Sequence, residues 1–145
     1  MTLTTAKETI LGGVLYFNPE KFANPKEFKT DFSQRFFSNT LGSNSSLGFK
    51  TSTENWKFLA RGSFNTHADY QVPNGERVTN TRYNETDLKT GIGYSNSSFS
   101  SVLRYNFNKL DLGIPENGIA KQSTSHTTTF PKQAVDNHIL SLHNN

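Results

Sequence analysis

The sequence WKFLARGSFN at residues 56–65 decides the fold that the rest of the chain shares. Its large apolar side chains fall on one parity and most of its polar side chains on the other. Successive side chains of an extended strand point to opposite faces, so this period of two predicts a strand with one apolar and one polar face. Helical spacing is hard to find anywhere in the chain, because apolar residues rarely recur three and four positions apart.

The same alternation returns on both sides of this segment. The predicted strands cover residues 28–36, 47–51, 56–65, 88–95 and 99–108, and a sixth begins at His138 and covers 138–142. Short joins at 53–55 and 95–98 alternate with long polar joins at 67–83 and 111–137. We expect the join at 40–46 to be short and to lie at the same end of the sheet as the long loops.

Strands of about ten residues, joined alternately by short turns and long loops, are typical of an outer-membrane barrel. A lipid-facing Lys or Arg near the midplane costs about 2–4 kcal/mol, so a barrel places these residues inside. Seven basic residues fall opposite the main aromatic residues: Lys29, Arg35, Lys50, Lys57, Arg61, Lys89 and Arg104. The predicted fold class is all-β, an antiparallel up-and-down transmembrane β-barrel segment with about five to six strands of a larger barrel.

A soluble β-sandwich or β-meander also has one apolar and one polar face, and this alternative stays open. Sandwich strands are usually about five or six residues long, and three of the predicted strands are close to ten or longer. The composition also disfavours a thick soluble core, because Leu, Ile, Val and Phe number 34 whereas Ser, Thr and Asn number 48.

Several classes of protein are disfavoured by composition. The absence of Cys excludes disulfide and zinc-thiolate frameworks. A net charge of +3, scattered along the chain, does not indicate a nucleic-acid partner. No apolar run is long enough for a transmembrane helix, and the opening MTLTTAKETI lacks the features of a signal peptide.

The segment LGGVLYFNP at residues 11–19 resembles the end of the plug domain in TonB-dependent outer-membrane receptors. The segments at 58–64, 67–70, 74–81 and 112–116 look like the first barrel strands and loops of the same family, particularly its iron-chelate branch resembling ferric citrate receptors. The resemblance covers nearly the whole chain from about residue 11. It implies that residues 1–25 are a remnant of the plug end and linker, and that 26–145 are the first strands and loops of the β-barrel, truncated.

This resemblance implies a parent receptor in the outer membrane of a Gram-negative type of cell, which takes up an iron-siderophore or similar ferric chelate. The implied partners are the ferric chelate, outer-membrane lipid and, through the plug, the TonB complex. No cofactor is implied. Family members have a plug inside a barrel of 22 strands, whereas this sequence has almost no plug, no TonB-contacting segment and five or six strands. We therefore expect a fragment, from a split, incomplete or decayed reading frame, that does not transport alone; a translated remnant without function is a further possibility.

The candidate ligand-binding residues are four arginines. Arg77 and Arg82 lie in the long loop after the third predicted strand, and Arg61 and Arg104 lie on the predicted inner face. Arginine pairs with carboxylates in a bidentate manner, and a basic vestibule concentrates anions such as a ferric chelate. The alternative for Arg61 and Arg104 is pairing with carboxylates of the plug or barrel.

Neither a metal site nor a catalytic site is predicted. His138 and His143 are five residues apart, which places them on opposite faces of a strand, and His67 reads as an ordinary loop residue. No Gly-x-Ser-x-Gly motif occurs, and no pair of carboxylates can be placed for acid and base catalysis. We expect that the chain is not an enzyme. A second function class stays open, namely a soluble or surface β-domain that binds a glycan or a protein through Asn- and Thr-rich loops.

Overall fold

The computed structural model describes residues 19–115 and 123–145 of the chain. These residues form one antiparallel sheet of six strands, paired in sequence order from β1 to β6. The strands are β1 (Phe28–Phe37), β2 (Gly42–Ser52), β3 (Trp56–His67), β4 (Tyr83–Ser95), β5 (Ser100–Gly113) and β6 (Lys132–Asn144). The predicted all-β, up-and-down arrangement is therefore confirmed. Within the described residues the sheet is open, because β1 pairs only with β2 and β6 only with β5.

Most strands are longer than the sequence pattern predicts. β2 begins at Gly42 rather than Leu47, β4 at Tyr83 rather than Leu88, and β6 at Lys132 rather than His138. The added residues lie toward the long-loop end, where polar side chains interrupt the alternation. Their backbone groups still pair with the neighbouring strands, because ladder hydrogen bonds do not depend on side-chain polarity.

The pairing register aligns the large apolar side chains of the six strands on one face. Phe58 lies opposite Thr51 and Ile92, Ile92 opposite Leu103, and Leu103 opposite Leu142. We call this side the apolar face, and all of the following members are exposed: Phe28, Phe32, Leu47, Phe49, Trp56, Phe58, Phe64, Leu88, Ile92, Leu103, Leu140 and Leu142.

The opposite side, the polar face, carries the seven basic residues that the sequence pattern placed together. The register sets Lys29 opposite Lys50, and Arg61 opposite Lys89. The predicted separation of basic and aromatic residues is confirmed. Residues 19–23, which we call the strap, lie on this face, where Ser52 Oγ donates a hydrogen bond of 2.9 Å to the carbonyl oxygen of Ala23.

Very little apolar surface is buried in the described part of the chain. The buried hydrophobic residues there are Ala23, Leu59 and Ala68, whereas the buried polar residues are Ser52, His67, Asp69, Asn80 and Arg82. Residues 19–115 and 123–145 also contain no helix that is long and apolar enough to cross a membrane. The GGV motif at 12–14 and most of the predicted plug remnant lie outside the described residues.

Candidate functional site

The four arginines predicted to bind a ligand lie in two separate regions. Arg61 and Arg104 project from the polar face in β3 and β5, and Arg77 and Arg82 belong to the loop between β3 and β4. The structure therefore does not assemble them into one site. Each region has its own network of hydrogen bonds.

Arg61 is the centre of the network on the polar face. Its Nε and Nη2 atoms donate to the two carboxylate oxygens of Glu20, both at 2.9 Å. Its Nη1 and Nη2 atoms donate to the carboxylate of Asp31, at 2.5 and 2.7 Å. A Cβ atom at Gly48 would collide with the guanidinium, so glycine at this point of β2 makes the arrangement possible. The alternative in which Arg61 pairs with carboxylates of this chain is thus realised in the structure.

Glu20 is the acidic residue of the strap and receives a second cation. Lys50 Nζ lies 2.6 Å from the same Oε1 atom that Arg61 contacts. Hydrogen bonding from Arg61 is the largest influence on Glu20 and, together with Lys50, it holds the pKa of this carboxyl below its ordinary value. Glu20 therefore remains ionised at neutral pH and anchors the strap on β2 and β3.

Arg104 holds a second point of the strap, through an aromatic ring. Its guanidinium carbon lies 4.5 Å from the ring centroid of Phe22, a cation–π contact. The ring packs over β4, where a Cβ atom at Gly91 would lie 3.1 Å from Phe22 Cζ. Glycine at position 91 thus leaves the space that the ring fills.

A row of amides and carboxylates crosses the polar face from β2 to β5. Asn65 donates to Glu85 at 2.8 Å, and Asn108 donates to Glu85 at 2.9 Å and to Asp87 at 2.8 Å. Ser63 donates to the other oxygen of Asp87 at 3.1 Å, and Asn44 donates to Asn65. Cross-strand hydrogen bonding of this kind satisfies polar groups on a strand face without burying it in a core.

A cavity of about 730 Å³ lies between the strap and strands β4 to β6. Its walls include Glu20, Asp87, Lys89, Arg104, Asn106 and Asn137. The sequence pattern places Lys89 among the inner-face cations but does not single out Lys89, Asn106 or Asn137 as site residues. Nothing in a local pattern shows which residues of one face will border a cavity.

The loop junction, formed by residues 68–82, 114–115 and 123–131, is the second region. Asp69 is fully buried and forms a bidentate ion pair with Arg82, with Nε to Oδ1 at 3.0 Å and Nη2 to Oδ2 at 2.8 Å. The backbone N–H groups of Thr81, Arg82 and Ser123 also donate to this carboxylate, at 2.9, 3.2 and 3.2 Å. Asp69 is thus satisfied by groups from both long loops.

Asn80 links the same two loops through its side chain. Its Nδ2 atom donates to the carbonyl oxygens of Ile114, Thr129 and Pro131, at 3.0, 3.2 and 2.7 Å. Thr129 Oγ1 donates to its Oδ1 at 3.1 Å. Asn80 has a φ of 57°, a conformation that asparagine tolerates better than most residues.

Arg77 and Arg82 both take part in this junction. Arg82 is 3% exposed, and Arg77 donates to the carbonyl oxygen of Asn39 at 3.0 Å and to that of Asp69. The sequence pattern did not identify Asp69 or Asn80 as partners, because their contacts come from distant parts of the chain. In the described ranges, no group of three or more His, Asp and Glu side chains is arranged to hold a metal ion.

Comparison of the chain with protein-family models, with curated proteins and with solved structures found no match.

Proposed function

We propose that this chain is the early barrel part of a TonB-dependent outer-membrane receptor whose parent takes up an iron-siderophore or similar ferric chelate. In this proposal the apolar face contacts outer-membrane lipid and the polar face lines the interior. The observation that carries it is the exposed apolar face, which extends across all six strands. A soluble domain rarely exposes an apolar patch of this extent.

The dimensions of the apolar face suit a bilayer. At about 3.3 Å per residue, Trp56 and Phe64 are about 26 Å apart along β3. A strand tilted by about 40° then spans about 20 Å of the bilayer normal, close to the outward apolar band of about 25 Å in outer-membrane barrels. The proposed boundary also agrees with charge, because charged side chains of the six described strands enter this face at Lys109, Asp111, Lys132 and Asp136, all toward the long loops.

Aromatic residues mark the other boundary of the apolar face. The rings of Trp56 and Tyr94 lie with centroids 5.0 Å apart at the short-turn end, and those of Phe28 and Phe49 lie 5.3 Å apart nearby. Trp and Tyr are enriched where hydrocarbon meets the polar headgroups. We propose that this cluster is part of a girdle of aromatic residues at the membrane boundary.

The polar face and strap support the proposed interior. Residues 19–23 are joined to β1 by a turn at 25–26 and contact the polar face through Glu20, Phe22 and Ala23. A linker that connects a plug to the barrel would have to lie at this position, inside the barrel and just before β1. The two open sheet edges require further strands, since unpaired backbone groups in lipid cost several kcal/mol each. The proposed receptor binds and passes its substrate without catalysis, and the described sheet alone is not transport-competent.

The membrane part of the proposal is tested with the single tryptophan. The full chain is folded into phospholipid vesicles, and quenching of Trp56 by lipids brominated at different depths is measured. We expect the strongest quenching from bromine near the headgroups. In two Trp56→Phe variants, tryptophan is placed at Tyr105, in the central row of the apolar face, or at Asn106 on the polar face. Deep bromine should quench the first strongly and the second weakly.

Two results would overturn the membrane proposal. One is equal quenching for the two relocated tryptophans, because the faces would then see the same surroundings. The other is a monomeric chain that unfolds cooperatively in buffer without detergent or lipid. That second result would favour the soluble or surface β-domain that binds a glycan or a protein.

The ligand part is tested by binding rather than by transport. Radiolabelled ferric citrate is incubated with vesicles that contain the chain, and retained label is compared with protein-free vesicles. We propose that Arg77 and Arg104 supply positive charge to the ligand path, whereas the charges of Arg61 and Arg82 are already paired with Glu20, Asp31 and Asp69. Replacing Arg77 or Arg104 by Gln should lower retention, whereas Arg35→Gln should not. Equal retention in all variants would remove the arginines from the proposal.

A further inference from the structure

The cavity between the strap and strands β4 to β6 has oppositely charged ends. Arg104 lies opposite Gly91, Lys89 lies opposite Asn106, and the pair Asp87 and Asn108 follows two residues further along. Successive rows on one face are two residues, about 7 Å, apart. The cavity therefore changes from cationic to carboxylate- and amide-bearing over a distance of about 13 Å.

The cationic end has unused capacity among the described residues. Lys89 is exposed and has no ion pair there, and Arg104, whose guanidinium lies over the ring of Phe22, forms no hydrogen bond or ion pair within the described residues. Both residues line the cavity. The side chain of Asn106, between these two cations, forms no hydrogen bond within residues 19–115 and 123–145. These groups can donate to one carboxylate.

The opposite end is already neutralised by hydrogen bonds. Glu20 is held by Arg61 and Lys50 beside the rows of Lys89 and Arg104, whereas at the opposite end Asp87 accepts from Ser63 and Asn108. Because these carboxylates keep free lone pairs, they favour hydroxyl donors rather than a second anion. Asn137 borders the same end and offers an amide.

From this arrangement we propose that the cavity binds a sugar acid, a small molecule with one carboxylate and a chain of hydroxyl groups. The carboxylate pairs with Lys89 and Arg104, and the hydroxyl chain lies along Asn106 toward Asp87 and Asn137. The rows of Lys89 and Asp87 are about 7 Å apart, a distance that an extended six-carbon sugar acid can span. A cavity of about 730 Å³ is within the usual range for small ligands. The inference goes beyond the proposed uptake of a ferric chelate and does not depend on it.

The test is calorimetric titration of the detergent-folded full chain with gluconate, compared with sorbitol and acetate. We expect gluconate to bind at least tenfold more tightly than sorbitol, which lacks the carboxylate, and than acetate, which lacks the hydroxyl chain. Lys89→Gln should weaken gluconate binding about tenfold. Lys57→Gln removes the same charge from the polar face outside the cavity and should leave binding unchanged.

The outcomes separate this inference from the proposed function. No gluconate binding, or equal loss in the Lys89→Gln and Lys57→Gln variants, would overturn the sugar-acid site even if Trp56 reports a lipid boundary. Because Arg104 also holds Phe22, Lys89→Gln is the decisive variant. Tryptophan quenching that contradicts the membrane location would leave a positive gluconate result intact.

Discussion

The loop junction and the apolar face invert the usual relation between polarity and burial. Asp69 and Asn80 are polar and fully buried, whereas Phe58 and Leu103 are apolar and 38% and 40% exposed. The buried polar groups of the junction form hydrogen bonds with one another, so its stability does not depend on what covers it. The apolar face has no such internal partner in the described residues, so its contribution to stability depends on what covers it.

The sharpest test of the junction is Asp69→Asn. This change leaves the Arg82 guanidinium buried without its counter-charge, and we expect a loss of about 3–5 kcal/mol in the free energy of unfolding. The measurement is urea unfolding followed by Trp56 fluorescence, with amide hydrogen exchange of residues 68–82 as the local readout. Asp136→Asn, at an exposed position of β6, should change stability by less than about 0.5 kcal/mol. Similar effects of the two variants would contradict the buried ion pair.

Leu103→Lys tests the other half of the comparison. In phospholipid vesicles, a lysine at Leu103, one row of residues inside the boundary set by Trp56, should lower the free energy of unfolding by about 1–3 kcal/mol, because the ammonium must leave water. Asn106→Lys places the same charge three residues along on the polar face and should cost much less. The two faces would be equivalent, and the proposed lipid contact wrong, if both variants unfolded at the same urea concentration.

Gly113→Ala examines how tightly the sheet and the junction fit together. A Cβ atom at Gly113 would lie 2.5 Å from the carbonyl oxygen of Asn80, so the backbone must shift. We expect a loss of about 1–3 kcal/mol, measured by the same urea titration. The control is Gly62→Ala, where the nearest atom to the new Cβ would be 4.0 Å away. An effect no larger than that of Gly62→Ala would show that the junction adapts freely.

The smallest expected effect concerns the strap and its pH dependence. The pKa of Glu20 is lowered in the folded chain, chiefly by Arg61, so its ionised form stabilises the fold above the ordinary pKa of 4.5. This stabilisation is lost as the pH falls from 4.5 through the lowered pKa. Glu20→Gln should cost up to about 1 kcal/mol at pH 7 and progressively less below pH 4.

The matched control for Glu20 is Glu54→Gln. Glu54 pairs with Lys26 at an exposed site, where both side chains are 72% exposed, so its removal should have no measurable effect on stability. A pH profile of stability that is identical for Glu20→Gln and the natural sequence between pH 2 and 7 would refute the role of Glu20 in holding the strap.

Much of the sheet could be predicted because strand periodicity is local. The alternation in residues 56–65 places Phe58 and Arg61 on opposite faces wherever the strand lies, and the structure confirms this for the whole set of basic residues. The early starts of β2 and β6 could not be predicted in this way. Their polar residues lack alternation, and they become strands because neighbouring backbones offer hydrogen-bond partners.

The candidate sites were less predictable than the sheet. The pattern assigned Arg61 to the inner face and named pairing with a carboxylate as the alternative, which the contacts with Glu20 and Asp31 realise. The pattern treated Arg82 as a loop cation that could meet a ligand. Its burial against Asp69, thirteen positions earlier in the chain, has no sequence signature.

The sequence by itself determined which side chains share a face, because successive residues of a strand alternate whatever surrounds them. It also determined that the two faces differ in charge. Only the tertiary structure decided the register, the position of residues 19–23 on the polar face, and the burial of Asp69, Asn80 and Arg82. These depend on hydrogen bonds between residues far apart in the chain, and such partners are selected by the folded geometry rather than by any local pattern.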